Sequence, residues 1–124
     1  MTHQEIFDFV WTKLYEQGQP SRGNFGCRYR TTEGLKCAVG HLIPDDLYEE
    51  AMEGHAVCVI NKQYSLPSEV FSRNNEEFLQ ELQAAHDFAR ANNFLEHLAS
   101  QMRGIATHRG LSHAIIPASY GNMQ

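Results

Sequence analysis

Four cations, Arg22, Arg28, Arg30 and Lys36, fall within fifteen residues that hold a single acid, Glu33. They border a Gly-Asn loop around Asn24 whose free backbone N–H groups could receive an anion. A guanidinium fork holds a phosphate or carboxylate with two parallel hydrogen bonds, so this composition points to a phosphorylated small ligand, with Arg22, Asn24, Arg28, Arg30, Lys36 and His41 as its binding residues. The plainer explanation is that these cations keep a hairpin edge soluble. A second, looser cluster comprises Arg103, His108, Arg109 and His113.

Immediately downstream, Asp45, Asp46, Glu49, Glu50 and Glu53 form an acidic run. Asp45 and Asp46 follow Pro44, where carboxylates favour a helix start. That leaves Glu49, Glu50 and Glu53 as candidates for contact with a protein partner, against the default of a solvated helix face.

Thiols and imidazoles suggest other chemistry. Cys27, Cys37, His41, His55 and Cys58 contain enough donors for a structural zinc module, but no Cys-x-x-Cys pair organises them. The dipeptide His86-Asp87 is of the kind used by metal-dependent phosphohydrolases, yet no Asp follows Asp87 to complete a metal set, and the pair is expected on the partly exposed side of a helix. Nucleophile elbows, phosphate-cradling Gly-Lys-Ser/Thr loops and His-Glu-x-x-His are all missing. No catalytic residue, metal ligand or cofactor is assigned. A small hydrolase or nucleotide-processing enzyme using His41 or His55 with a nearby acid is the alternative.

The elements that must position these groups follow from periodicity and punctuation. Thr2 and Glu5 make a capping box, and Ile6, Phe7, Val10, Trp11 and Leu14 recur at helical spacing until Gly18 and Pro20. Residues 25–39 read as a β-hairpin. Phe25, Cys27, Tyr29, Leu35, Cys37 and Val39 share the inner face, while Arg28, Arg30 and Lys36 share the outer one. This register sets Cys27 near Cys37 and Tyr29 near Leu35, with Gly34 free to take positive φ. Residues 44–53 predict a short acidic helix ended by Gly54, and residues 55–60 a third strand. Pro67 and Ser68 start a single turn, Asn75 caps a helix striped by Phe78, Leu79, Leu82, Ala85 and Ala89, and a last helix runs from Phe94 to Gly110. The fold class expected is α+β: a small antiparallel sheet, the hairpin plus one further strand, packed with three to four helices.

At 124 residues with no repeat or linker, the chain reads as one domain over residues 1–116, with 117–124 a tail that can fray. A net charge of −5 disfavours nucleic acid as a general partner. No apolar run approaches a membrane span, so no membrane partner is expected. Three cysteines, an odd number, fit reduced thiols in a cytoplasm.

The run GLKCAVGHLIPDDLYEEAMEG, followed by FLQELQAAHD, resembles an uncharacterised family of small tailed-phage and prophage proteins, over about residues 22–90. The resemblance implies an origin and a location in the host cytoplasm. By analogy with small phage accessory proteins it also implies a non-enzymatic binder of a host protein or a phosphorylated small molecule, antagonising host antiviral defence. Self-association through an exposed hairpin edge is a further expectation.

Overall fold

The computed structural model describes residues 1–23 and 26–120. Five α-helices and a two-stranded antiparallel sheet make a small α+β fold: α1 (His3–Gln17), β1 (Arg22–Gly23), β2 (Gly26–Cys27), α2 (Val57–Gln63), α3 (Ser68–Phe71), α4 (Glu76–Asp87) and α5 (Phe94–Arg109).

The capping box of α1 is complete. The Thr2 hydroxyl accepts from the Glu5 amide at 3.1 Å, and the Glu5 carboxylate accepts from the Thr2 amide at 2.8 Å. Its apolar stripe, Ile6, Phe7, Val10, Trp11 and Leu14, is fully buried, and Gly18 closes the helix at φ 77. The stripes of α4 and α5 are buried against each other and against α1, as their spacing requires. Arg109 ties α5 to α4 through a two-pronged contact with Glu81, 2.9 and 2.5 Å, while stacking over Phe78. The segment after α5 is docked: Arg103 donates to the carbonyls of Pro117 and Tyr120, and the Tyr120 ring lies 6.3 Å from Trp11. Of the tail expected over 117–124, residues 117–120 make these contacts and residues 121–124 lie outside the described residues.

The middle of the chain departs from the expected hairpin. Sheet pairing joins Arg22 to Cys27 and Gly23 to Gly26, and beyond it only one isolated bridge, Arg30 to Lys36, survives among the described residues. Tyr29 faces Cys37, whose amide donates to the Tyr29 carbonyl at 3.2 Å, so pairing is displaced by two residues and Cys27 does not face Cys37. Gly34 takes φ 92 in the connecting turn.

Residues 37–43 leave the strand and wind into successive turns. Cys37, Ala38 and Val39 are all fully buried in a row, which alternation cannot achieve. Gly40 makes this possible, because a Cβ there would lie 2.0 Å from the Tyr29 carbonyl oxygen. The expected helix over 44–53 shrinks to one turn after Pro44 and a 3₁₀ turn, Glu50–Met52, with Glu49 extended between them. The expected third strand is the helix α2. Val57 and Ile60, three apart, are its buried residues. Asn75 does not cap α4 with its side chain. It is buried, donating to the Val70 carbonyl at 3.0 Å and paired with His3 at 2.8 Å.

Candidate functional site

The predicted cations and the predicted acids meet each other. Arg28 pairs with Glu50 at 2.6 Å, Arg30 with Asp45 at 2.8 Å and Lys36 with the same carboxylate at 3.3 Å. Arg30 also donates to the Ile43 carbonyl at 2.6 Å and lies over the Tyr48 ring at 4.8 Å. The expectation of an open cationic face gives way to an internal network, because the turn after Pro44 folds the acidic run back over the bridge between Arg30 and Lys36. Asp45 feels this pairing, and its carboxyl is held below the usual range first by Lys36 and then by Arg30.

Glu53 sits at the centre of this network, with a side chain only 10% exposed. One oxygen accepts the Tyr29 amide at 2.9 Å. The other accepts the Arg30 amide at 3.1 Å and the Tyr48 hydroxyl at 2.6 Å. The outward partner-binding face expected of Glu49, Glu50 and Glu53 is thus reduced, since only the first two are exposed. The inward position of Glu53 follows from the Tyr29 and Arg30 amides, which find no backbone carbonyl among the described residues.

The remaining ligand candidates disperse. Arg22 donates to the carbonyls of Asp87 and Ala89. His41 pairs with Gln17 at 3.1 Å, and burial drives its imidazole down to about 4, with Lys36 and Lys13 adding to the effect. Asn24 lies outside the described residues. The cations of the second cluster are likewise engaged, Arg103 with carbonyls and Arg109 with Glu81.

A cleft of about 310 Å³ opens beside this network, with Arg28, Tyr29 and Glu53 in its lining, between β2 with the residues after it, residues 53–57, and the outer face of α4. Cys27, Asp87 and Phe88 define its chemistry. Asp87, the last residue of α4, accepts on one carboxylate oxygen from Gln83 at 2.8 Å and from His86 at 2.8 Å. Its other oxygen takes no N–H or O–H donor among the described residues, but the neutral Cys27 thiol is a hydrogen-bonding neighbour of this carboxylate. Phe88 follows at the rim, 81% exposed.

His86 is completely buried, not on a partly exposed helix side. The Ser21 amide points at Nε2 from 2.9 Å, and an amide can only donate. Nε2 therefore accepts, the proton sits on Nδ1, and that N–H orients Asp87.

Donor atoms of Cys27, His86 and Asp87 lie within 4.8 Å of one another, the sole such group among the described residues. The donor types suit a soft divalent metal, but both imidazole nitrogens already have partners, so coordination would break the bond to Ser21 or to Asp87. The proposed zinc set is not assembled: Cys37 is fully buried with its sulfur accepting the Gly40 amide at 3.3 Å, and His41 faces Gln17. Nor is Cys27 an activated nucleophile. Burial first, then the neighbouring Asp87 charge, push its thiol up, favouring the neutral form.

Phe88 escaped the sequence reading although a signal existed. It follows the last residue of α4, off the stripe Phe78, Leu79, Leu82, Ala85 and Ala89, and is the most exposed large hydrophobic side chain among the described residues. No helix among the described residues is long and apolar enough to cross a membrane. Comparison of the chain with protein-family models, curated proteins and solved structures finds no match.

Proposed function

We propose that this chain is a non-enzymatic binding protein that docks on a partner protein through the α4 cleft and its rim. The observation that carries this reading is Phe88, a phenyl ring 81% exposed beside a cleft, where the usual cost of such exposure is offset by contact with a partner. The groups beside it that could do chemistry are committed to structure: His86 through both nitrogens, Glu53 through both oxygens, Cys27 as a neutral thiol. The internal pairing of Arg28, Arg30 and Lys36 favours a protein over a phosphorylated small molecule. The resemblance of residues 22–90 to small tailed-phage proteins supports a host protein as that partner and antagonism of host defence as its purpose.

A photo-crosslinking phenylalanine analogue at position 88, expressed in infected cells, tests this. Crosslinking to one partner, lost when unlabelled wild-type protein competes, is the expected result. Crosslinking no greater than from an analogue placed at exposed Thr107 on α5 would overturn the assignment. Mass spectrometry of small molecules before and after incubation with the protein addresses the enzymatic alternative, since altered rather than recovered ligand would show turnover.

A further inference from the structure

Twice this fold builds the same three-part contact. Arg30 lies 4.8 Å from the centre of the Tyr48 ring and is paired with Asp45. Arg109 lies 5.1 Å from the centre of the Phe78 ring and is paired with Glu81. In each, a guanidinium is held between an aromatic face and a carboxylate, an arrangement whose parts reinforce one another because the ring's negative face and the carboxylate both attract the delocalised cation.

At the mouth of the cleft two of the three parts recur without the third. Phe88 presents its ring to solvent, and Asp87, its neighbour in sequence, lines the same cleft with a carboxylate whose second oxygen takes no N–H or O–H donor among the described residues, its other neighbour being the neutral Cys27 thiol. Gln83 and His86 grip the other oxygen, so the carboxylate is oriented before any ligand arrives. Two cations of the chain are close by, Arg28 in the cleft lining itself and Arg22 against the end of α4, and neither completes the set. Arg28 is turned to Glu50 and to the Arg30 carbonyl, and Arg22 to the carbonyls of Asp87 and Ala89.

We infer that the cleft recognises an arginine side chain of the partner protein, its guanidinium seated between the Phe88 ring and the Asp87 carboxylate. This deepens the binding reading above and rests on it. The net charge of −5 draws a cationic partner surface toward the chain, and the exposed acids Asp46 and Glu49 act in the same direction.

The probe is the capped tripeptide acetyl-Gly-Arg-Leu-amide, titrated into ¹⁵N-labelled protein and followed by amide shifts. Parallel titrations replace arginine by citrulline, which keeps the shape without the charge, by lysine and by glutamate. The arginine peptide should perturb residues 84–88 and bind about tenfold more tightly than the citrulline peptide. Asp87→Asn, which keeps an oxygen for Gln83 and His86, should bring the two peptides within about twofold of each other. Phe88→Ala, a change on an exposed ring, should weaken both.

Equal binding of arginine and citrulline peptides to the wild type, tighter binding of lysine or glutamate, or no perturbation by any peptide would each overturn the arginine assignment. The first two would leave the cleft a binding site of different preference. If all peptides fail, crosslinking from position 88 decides separately whether the binding reading survives.

Discussion

Replacing Glu53 tests the interpretation of residues 27–54 most directly. In the wild type this nearly buried carboxylate accepts from the Tyr29 and Arg30 amides and from the Tyr48 hydroxyl, and lies 3.9 Å from Arg28. Glutamine keeps the shape but offers one oxygen and one donor, so at least one of those three donors meets an N–H instead of an oxygen. An unsatisfied buried donor costs about 1–3 kcal/mol, and bonds to a charged acceptor are worth more than neutral ones, giving an expected loss of about 2–4 kcal/mol for Glu53→Gln. In a domain of this size that is a fall in Tm of about 8–16 °C. The controls are Glu49→Gln and Glu50→Gln. Glu49 is exposed and Glu50 is 74% exposed in its pair with Arg28, so each should change stability by less than about 0.5 kcal/mol. Urea unfolding followed by Trp11 fluorescence reads all three, and the buried position of Trp11 makes it a reporter of global unfolding. A Tyr48→Phe variant completes a cycle, since removing the hydroxyl should cost less in the Glu53→Gln background than in the wild type. If Glu53→Gln lost no more stability than Glu50→Gln, the carboxylate would not be organising this segment, and the reasoning that moved Glu53 from surface to structure would fail.

Three further outcomes rest on other buried groups. His41 is held neutral when folded, its imidazole lowered from 6.5 to about 4 by burial, so between those values the unfolded chain binds a proton that the folded chain does not; stability should therefore fall by about 1–3 kcal/mol as pH drops through this window, and His41→Asn should flatten that part of the pH profile in urea melts. Gly40→Ala would force a Cβ against the Tyr29 carbonyl and should lower stability by more than about 2 kcal/mol, whereas Gly104→Ala, in α5 with open space around it, should raise stability by about 0.5–1 kcal/mol; thermal melts distinguish them. Cys37, fully buried with its thiol pushed up to about 12, should stay unmodified by iodoacetamide in the native state and react only on unfolding, as peptide mass mapping would show.

What the sequence made legible is what depends on near neighbours. The box between Thr2 and Glu5, the stripes of α1, α4 and α5, and the stop at Gly110 involve residues at most a few positions apart, and periodicity reports them directly. Residues 27–54 failed that method because their decisive partners are distant. Gln17, at the end of α1, brackets Lys36 by donating to its carbonyl at 2.8 Å and accepting its amide at 2.9 Å, and it also holds His41. Gln83 on α4 accepts the Val39 amide at 2.9 Å. With those amides satisfied from outside, the backbone needs no second strand, and the alternation that suggested a hairpin loses its consequence. His86 illustrates the same limit: nothing in the dipeptide with Asp87 indicates that the Ser21 amide, sixty-five residues earlier, takes its second nitrogen.

The residues of the run from Gly34 to Gly54 therefore have folding causes, one by one. Gly34 turns the chain at φ 92, Cys37 fills the interior and accepts the Gly40 amide, Gly40 lets the backbone approach Tyr29, Asp45 neutralises two cations, and Glu53 bonds the strand amides before Gly54 reverses the chain at φ 82. A run assembled from such requirements specifies an architecture, and two chains that share it need share no partner. Function in this chain is better sought where folding leaves a residue unexplained. Phe88 is the clearest case: its ring makes none of the buried contacts that hold α4 to the core, yet it lines the same cleft as the oriented Asp87 carboxylate, and a partner's side chain is the account proposed for it.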